Sequence, residues 1–268
     1  MDLNYKEGRK IMNNFFKSAA LIALTSVSLS ASASLLNVWT DWTLMTVTNG
    51  DTDTLDENYV DPGYGGQAFD AEYLLYKYDS ATGTLSIGLQ TGFDILDGHY
   101  RTGGKDYYNG DIALSFDGDK STYEYAIDFG NLTKTYTNGL NANYNPKSLG
   151  THTAGLYAVS AWNNDIIFNS SSPFAMKSGS LLTTGMMSEG SGIGADTKKS
   201  YYNMFSFNVG VLGLSSSFLS LDAHWTMSCG NDAIEAHADI ADVPEPAPFA
   251  LLGLGLLGLA FARKRASK

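Results

Sequence analysis

Between residues 34 and 246 apolar and polar side chains alternate with a period of two, and the 3.6-residue apolar spacing of a helix is nowhere sustained. A strand turns successive side chains to opposite faces, so this pattern builds half-buried strands and leaves no stretch for a long helix. Residues 73–78 and 85–89 flank Asp79-Ser80-Ala81-Thr82-Gly83, which predicts a hairpin closed by a turn-forming loop. Ile112, Leu114 and Phe116 line one face of a strand that stops at Asp117-Gly118, and Tyr123, Tyr125, Ile127 and Phe129 alternate along its return partner. Residues 36–48 form a β-rich run ending at Asn49-Gly50. Two late strands, 204–214 and 218–229, are expected to join through Ser215-Ser216-Ser217, with Leu221, Ala223, Trp225, Met227 and Cys229 on one face. Residues 185–194, with glycine at 185, 190, 192 and 194, read as a mobile surface loop. Helix is expected only as short turns, for example near residues 160–164.

Many strands at hairpin spacing without helical crossovers predict a mainly β fold, a single antiparallel β-sandwich or jelly-roll domain over residues 34–242. No Pro-rich or charged linker divides that region, and no repeat of solenoid or propeller length appears. The chain's 268 residues are 44% hydrophobic and 17% charged, which excludes a wholly disordered chain and a coiled coil. The single cysteine, Cys229, excludes an intrachain disulfide framework.

The two ends read as addresses. Lys17 precedes an apolar run over residues 19–29, followed by Ala31-Ser32-Ala33. A basic start, an apolar stretch and a small-x-small site make a secretory signal peptide, so residues 1–33 are expected to pass the Sec translocon as an N-terminal signal helix. Signal peptidase is expected to cut after Ala33, leaving Ser34 first. The signal is more compact when read from Met12. At the other end, Val243-Pro244-Glu245-Pro246-Ala247-Pro248 leads into an apolar segment, residues 249–262, and then Arg263-Lys264-Arg265. As a helix that segment would be roughly 21 Å long, short of a hydrocarbon core but able to span it by local thinning. The basic tail would stay cytoplasmic, as would the basic start of the signal peptide, so what lies between is exported.

Residues 1–33 hold four Lys/Arg and two Asp/Glu, and residues 247–268 hold four Lys/Arg and no acid. Residues 34–246 therefore keep nine basic and 26 acidic residues, a net charge of −17. That charge repels nucleic acid and anionic headgroups, and no nucleic-acid partner is expected.

Pro-Glu-Pro, a short apolar helix and an Arg-rich tail, in that order, resemble the PEP-CTERM sorting signal of Gram-negative bacteria. The resemblance covers residues 243–268. It implies that Pro244, Glu245 and Pro246 are recognised by exosortase, a membrane transpeptidase-like enzyme that cuts nearby, with Arg263, Lys264 and Arg265 as the basic end of the signal. It also implies transient insertion in the inner membrane and delivery to the cell surface or the extracellular matrix. The stretch Trp225-Thr226-Met227-Ser228-Cys229-Gly230-Asn231-Asp232 is similar to the end of the exosortase-dependent surface proteins, a group with no enzyme activity to carry over.

Candidate sites are few. No Gly-x-Ser-x-Gly elbow, His-Glu-x-x-His helix or phosphate-cradling Gly-rich loop is present, and no enzyme is expected. A glycan-active hydrolase would need two carboxylates across a cleft, and with 26 acids in residues 34–246 the sequence does not single out a pair. Asp51, Asp53, Asp56 and Glu57 cluster hard oxygen ligands suited to calcium, although Leu55 and Pro62 break an EF-hand. The alternative is a solvated acidic turn, and no other cofactor is expected. His224 and Cys229 are five residues apart, so a regular strand points them to opposite faces and no soft-metal site is expected. Trp162 beside Asn163, Asn164 and Asp165 is the best candidate for a glycan contact among four tryptophans, the rest being expected in the core. Three functions compete, in this order: a structural or adhesive surface module linked to exopolysaccharide, a carbohydrate-binding module, calcium-dependent or not, and a secreted glycan-active enzyme.

Overall fold

The computed structural model describes residues 35–50, 66–119, 121–137, 149–195, 197–213 and 219–240. The expected signal helix, the C-terminal apolar helix and the Asp51, Asp53, Asp56 and Glu57 cluster lie outside those residues. Among the described residues no helix is long and apolar enough to cross a membrane.

Alternation becomes strand nearly everywhere. In chain order the strands are β1 (Thr43–Leu44), β2 (Thr46–Gly50), β3 (Ala71–Asp79), β4 (Thr84–Thr91), β5 (His99–Thr102), β6 (Lys105–Tyr108) and β7 (Ile112–Ser115). They continue as β8 (Tyr125–Asp128), β9 (Gly155–Asn163), β10 (Ala175–Thr183), β11 (Met186–Ile193), β12 (Lys199–Asn208), β13 (Leu219–Thr226) and β14 (Ala233–Ile240). A five-stranded sheet runs β1-β3-β4-β12-β11, a seven-stranded sheet runs β10-β9-β8-β7-β13-β14-β2, and β5 with β6 makes a small ribbon. Every pairing among them is antiparallel.

Inward positions of both large sheets pool in one hydrophobic cluster. Leu74, Leu85, Ile87, Leu89, Phe205 and Phe207 come from the five-stranded sheet, and Ile112, Leu114, Ile127, Leu221, Ala223, Trp225, Ile234 and Ala236 from the seven-stranded sheet. The expected shared face of Leu221, Ala223, Trp225, Met227 and Cys229 lies wholly within this cluster. The hairpin at Asp79 forms as expected: the Asp79 carboxylate accepts from Ala81 N at 2.9 Å and Thr82 Oγ1 at 2.8 Å, and Gly83 takes the left-handed φ of +67° that closes the turn.

Four expectations need correction. Residues 160–163 are strand, the end of β9, where β10 pairs with Ala161, Trp162 and Asn163; the short helical turns are 3-10 turns at Asn37–Trp39, Gln67–Phe69, Asn169–Ser171 and Val209–Leu212. Residues 185–194 are largely the regular strand β11, whose glycines let the Tyr202 ring lie across Gly190 and the Leu36 side chain across Gly192. The strand expected over 204–214 ends at Asn208, where Val209–Leu212 turn as 3-10, the strand expected over 218–229 ends at Thr226, and the two belong to different sheets. The run over residues 36–48 opens with a 3-10 turn that seats Leu36, Trp39 and Trp42 against Leu75, Tyr73, Tyr202 and Met204 on the outer side of the five-stranded sheet.

That opening segment is held by a buried polar network. Gln90 Oε1 accepts from Leu36 N at 3.1 Å and from the Trp39 indole at 2.6 Å, and its amide donates to Glu72 Oε2 at 2.6 Å. Glu72 Oε1 accepts from Gln67 Nε2 and Ser200 Oγ, both at 2.7 Å. A fully buried carboxylate survives in a core only when several donors surround it, and Gln90 both feeds this one and pins the start of the described chain. Gln90→Leu is therefore expected to destabilise the fold by about 3 kcal/mol, read as a lower denaturation midpoint in urea. A change within error would show that the network does not carry the segment.

Candidate functional site

A cleft of about 490 Å³ opens beside the one tryptophan that the sequence singles out. Its lining comes from Ser121-Thr122-Tyr123-Glu124 on the approach to β8, from residues 159–162 of β9, from Asn164, from Ser172-Pro173 before β10 and from Glu235 of β14. Sheet pairing brings the first two together: β8 pairs with β9, and Val159 N extends the ladder by donating to Glu124 O at 2.8 Å. The Trp162 indole donates to Tyr123 O at 2.8 Å, which fixes the ring over this junction with its body packed near Ala126, Tyr157, Val159 and Met176. Trp162 is thus half-buried, with its polar edge anchored and the rest of the ring available as a wall.

The four residues expected to touch a glycan divide. Trp162 and Asn164 line the cleft. Asn163 is buried and serves as a brace, its amide donating to Tyr136 O at 2.7 Å and its Oδ1 accepting from Asp165 N at 3.0 Å. Asp165 is exposed and outside the lining. Trp39 and Trp225 are buried and Trp42 is packed against Trp39, so none of these is a platform.

The far wall is acidic with a neutral imidazole behind it. β13 and β14 pair His224 with Glu235 directly across the ladder. His224 is fully buried; its Nε2 donates to the Ser171 carbonyl at 3.1 Å, which leaves Nδ1 as an acceptor, 3.7 Å from Glu235 Oε1. Burial pulls the His224 pKa down to about 4, against the pull of the backbone bonds to Pro173 and Ser171. The Tyr123 ring lies 5.8 Å from that imidazole, and burial first, then the charges of Glu235 and Asp222, push its phenol well above the ordinary value. Glu124 also lines the cleft and accepts from Thr122 Oγ1 at 3.0 Å. The lining contains no Lys, Arg or His. The sequence does not single out a carboxylate pair; the structure places Glu124 and Glu235 in one cleft.

Away from the cleft, Asp111 and Asp128 are fully buried in the same sheet. Burial, and then the Asp128 charge, raise the Asp111 pKa well above the carboxylate range, while Met176 N donates to it at 2.7 Å. Cys229 lies in the turn past the end of β13 and not on the strand expected over 218–229; it is buried in the main core with its thiol pushed up to about 12, an inert residue. Among the described residues no group of three or more His, Cys, Asp or Glu is arranged to hold a metal ion.

The described fold ends at Ile240. Residues 242–265 match the PEP-CTERM protein-sorting motif. The protein carries an exosortase sorting signal. The match gives this PEP-CTERM protein export, cell-surface sorting and processing by exosortase, and it covers the same Pro-Glu-Pro, apolar and basic parts that the sequence shows. Neither the curated proteins nor the solved structures contain a match to the chain.

The His224 environment has a measurable consequence. A histidine kept neutral in the fold stabilises it above the ordinary pKa of 6.5, and that stability is lost as the pH falls from 6.5 towards about 4. Asp111, with a raised pKa, acts in the opposite sense, so the His224 share must be read as a difference between variants. Between neutral pH and pH 4 the natural protein is expected to lose about 3 kcal/mol more than His224→Gln. Parallel stability curves for the two would contradict the buried neutral imidazole.

Proposed function

We propose that this exported surface protein is a β-sandwich adhesion module that holds extracellular polysaccharide in the Trp162 cleft. The observation that carries the reading is the cleft's make-up. Trp162, Tyr123 and Pro173 offer apolar surface for the C–H faces of a sugar ring, and Ser121, Thr122, Ser160, Asn164 and Ser172 offer neutral groups for its hydroxyls. Glu124 and Glu235 accept hydrogen bonds and repel anions, so neutral or amine-bearing sugars suit the cleft and uronic-acid polymers do not. The sorting motif supports the setting: exosortase releases the chain where secreted polysaccharide is deposited, after transient insertion of residues 249–262 in the inner membrane. Calcium at Asp51, Asp53, Asp56 and Glu57 enters this reading as an accessory, tested by adding and chelating the ion.

A second reading rests on Glu124 and Glu235 sharing the cleft, the pairing a glycoside hydrolase uses as acid and base or nucleophile. It expects new reducing ends from a bound glycan, abolished in Glu235→Gln; binding without turnover leaves the adhesive reading.

Two measurements test the proposal. In affinity electrophoresis through gels containing neutral matrix polysaccharide, the protein released from cells is expected to be retarded, with calcium or with chelator, and Trp162→Ala to lose about tenfold in affinity while circular dichroism still shows the folded sheets at the assay temperature. Equal mobility of both with every glycan tried would overturn the binding role. For delivery, mass spectrometry is expected to find a C-terminus lacking Arg263, Lys264 and Arg265 in normal cells and the full tail in cells without exosortase. The same C-terminus in both would remove the processing step.

A further inference from the structure

Among the described residues four strands end the two large sheets, and each presents a row of backbone donors and acceptors that another chain can pair with. Three of the four are guarded. β1 has two residues, β2 pairs with β14 through a register shift, and β10 pairs with β9 through three register shifts and exposes Lys177. β11 has no such device: it pairs with β12 over eight residues without a shift and contains no Pro, Lys or Arg, with Glu189 its one charge.

Its side chains are unfinished in the same way. Met187 lies opposite Phe205, a residue of the main core, so the odd-numbered side of β11 continues the core-facing layer. Yet Met187 is 49% exposed and Ile193 64% exposed. On the even-numbered side Tyr202 covers Gly190 and Leu36 covers Gly192, while Met186 at the start of the strand is 71% exposed. The odd-numbered layer is therefore apolar and open at Met187 and Ile193, at an edge able to accept a strand.

We propose that β11 is a self-association edge: a second copy adds its own β11 antiparallel, joining two five-stranded sheets into one of ten strands. The sequence of β11 fits itself. A two-fold axis normal to the sheet pairs residues on the same face, so the axis must pass through a residue rather than between two. Through Glu189 it would set two carboxylates opposite each other, which is destabilising. Through Gly190 it pairs Met187 with Ile193 of the second copy, Glu189 with Ser191 and Ser188 with Gly192, so the exposed apolar pair covers itself and no like charges meet. The strongly acidic surface opposes the approach of two copies, and salt, by screening it, favours the dimer. This inference does not depend on the glycan reading.

Sedimentation velocity of the protein released from the cell surface tests it. A concentration-dependent dimer is expected in the micromolar range, strengthened by added salt. Met187→Lys is expected to weaken it about tenfold or more, and combining Met187→Lys with Ile193→Glu to restore it, because the chosen register sets those two positions opposite each other. Both positions are exposed, so circular dichroism and the thermal midpoint should match the unsubstituted protein. A monomer at every concentration and salt overturns the proposal, as does a dimer indifferent to Met187→Lys or not restored by the second change.

Discussion

The turn between β13 and β14 holds the site together, and Asp232 is its centre. One carboxylate oxygen accepts from Ala71 N of the five-stranded sheet at 2.6 Å and the other from Ala233 N of the seven-stranded sheet at 2.8 Å, while Thr226 Oγ1 donates to its carbonyl at 2.6 Å. A single side chain thus ties the two sheets at the point where the last hairpin reverses. Around it, Ser228 and Tyr108 exchange backbone and side-chain bonds at 2.9 Å, and Ser171 Oγ donates to Gly230 O at 2.8 Å. Gly230 has a φ of +67° and its backbone faces the Phe168 carbonyl so closely that a Cβ would sit 2.7 Å from it, so only glycine fits. Trp225, Ser228, Gly230 and Asp232 are each used up in internal bonds or packing.

This turn also builds the cleft. Ser171, held by Gly230, presents the carbonyl that fixes the His224 tautomer, and Ser172-Pro173 follow it into the lining. The β13–β14 register that the turn sets is what places Glu235 against His224. Loosening the turn would move one wall and the acid together, so the shape of the cleft and the stability of the fold rest on the same residues.

Much of the architecture is legible in the alternation alone, because strands such as β4, β7 and β13 place large apolar residues on one face against polar or small ones on the other. β14 is harder to see: alanine fills the middle of its inward face, Ile234, Ala236, Ala238 and Ile240, so it gives little hydrophobic contrast, and the sequence reading stops at Cys229. β11 is hidden by its glycines, which look like a loop and are spaces for Tyr202 and Leu36. Trp162 is findable as an aromatic among polar neighbours, but Tyr123, Glu124 and Glu235 come from elements joined only by long-range pairing, and no local pattern connects them. The sorting signal is the reverse case: a contiguous label read by an enzyme needs no tertiary structure to be recognised in sequence.

The account's central claim is that an exported module presents Trp162 in a cleft as its working surface. Nuclear magnetic resonance of the indole N–H groups tests it directly, since the tryptophans occupy distinct settings: Trp39 and Trp225 buried, Trp42 packed on Trp39, Trp162 lining the cleft. Titrating the released protein with neutral matrix oligosaccharide is expected to shift the Trp162 signal saturably and leave the other three in place. A Trp162 signal that does not move, or four signals that move alike, would contradict it.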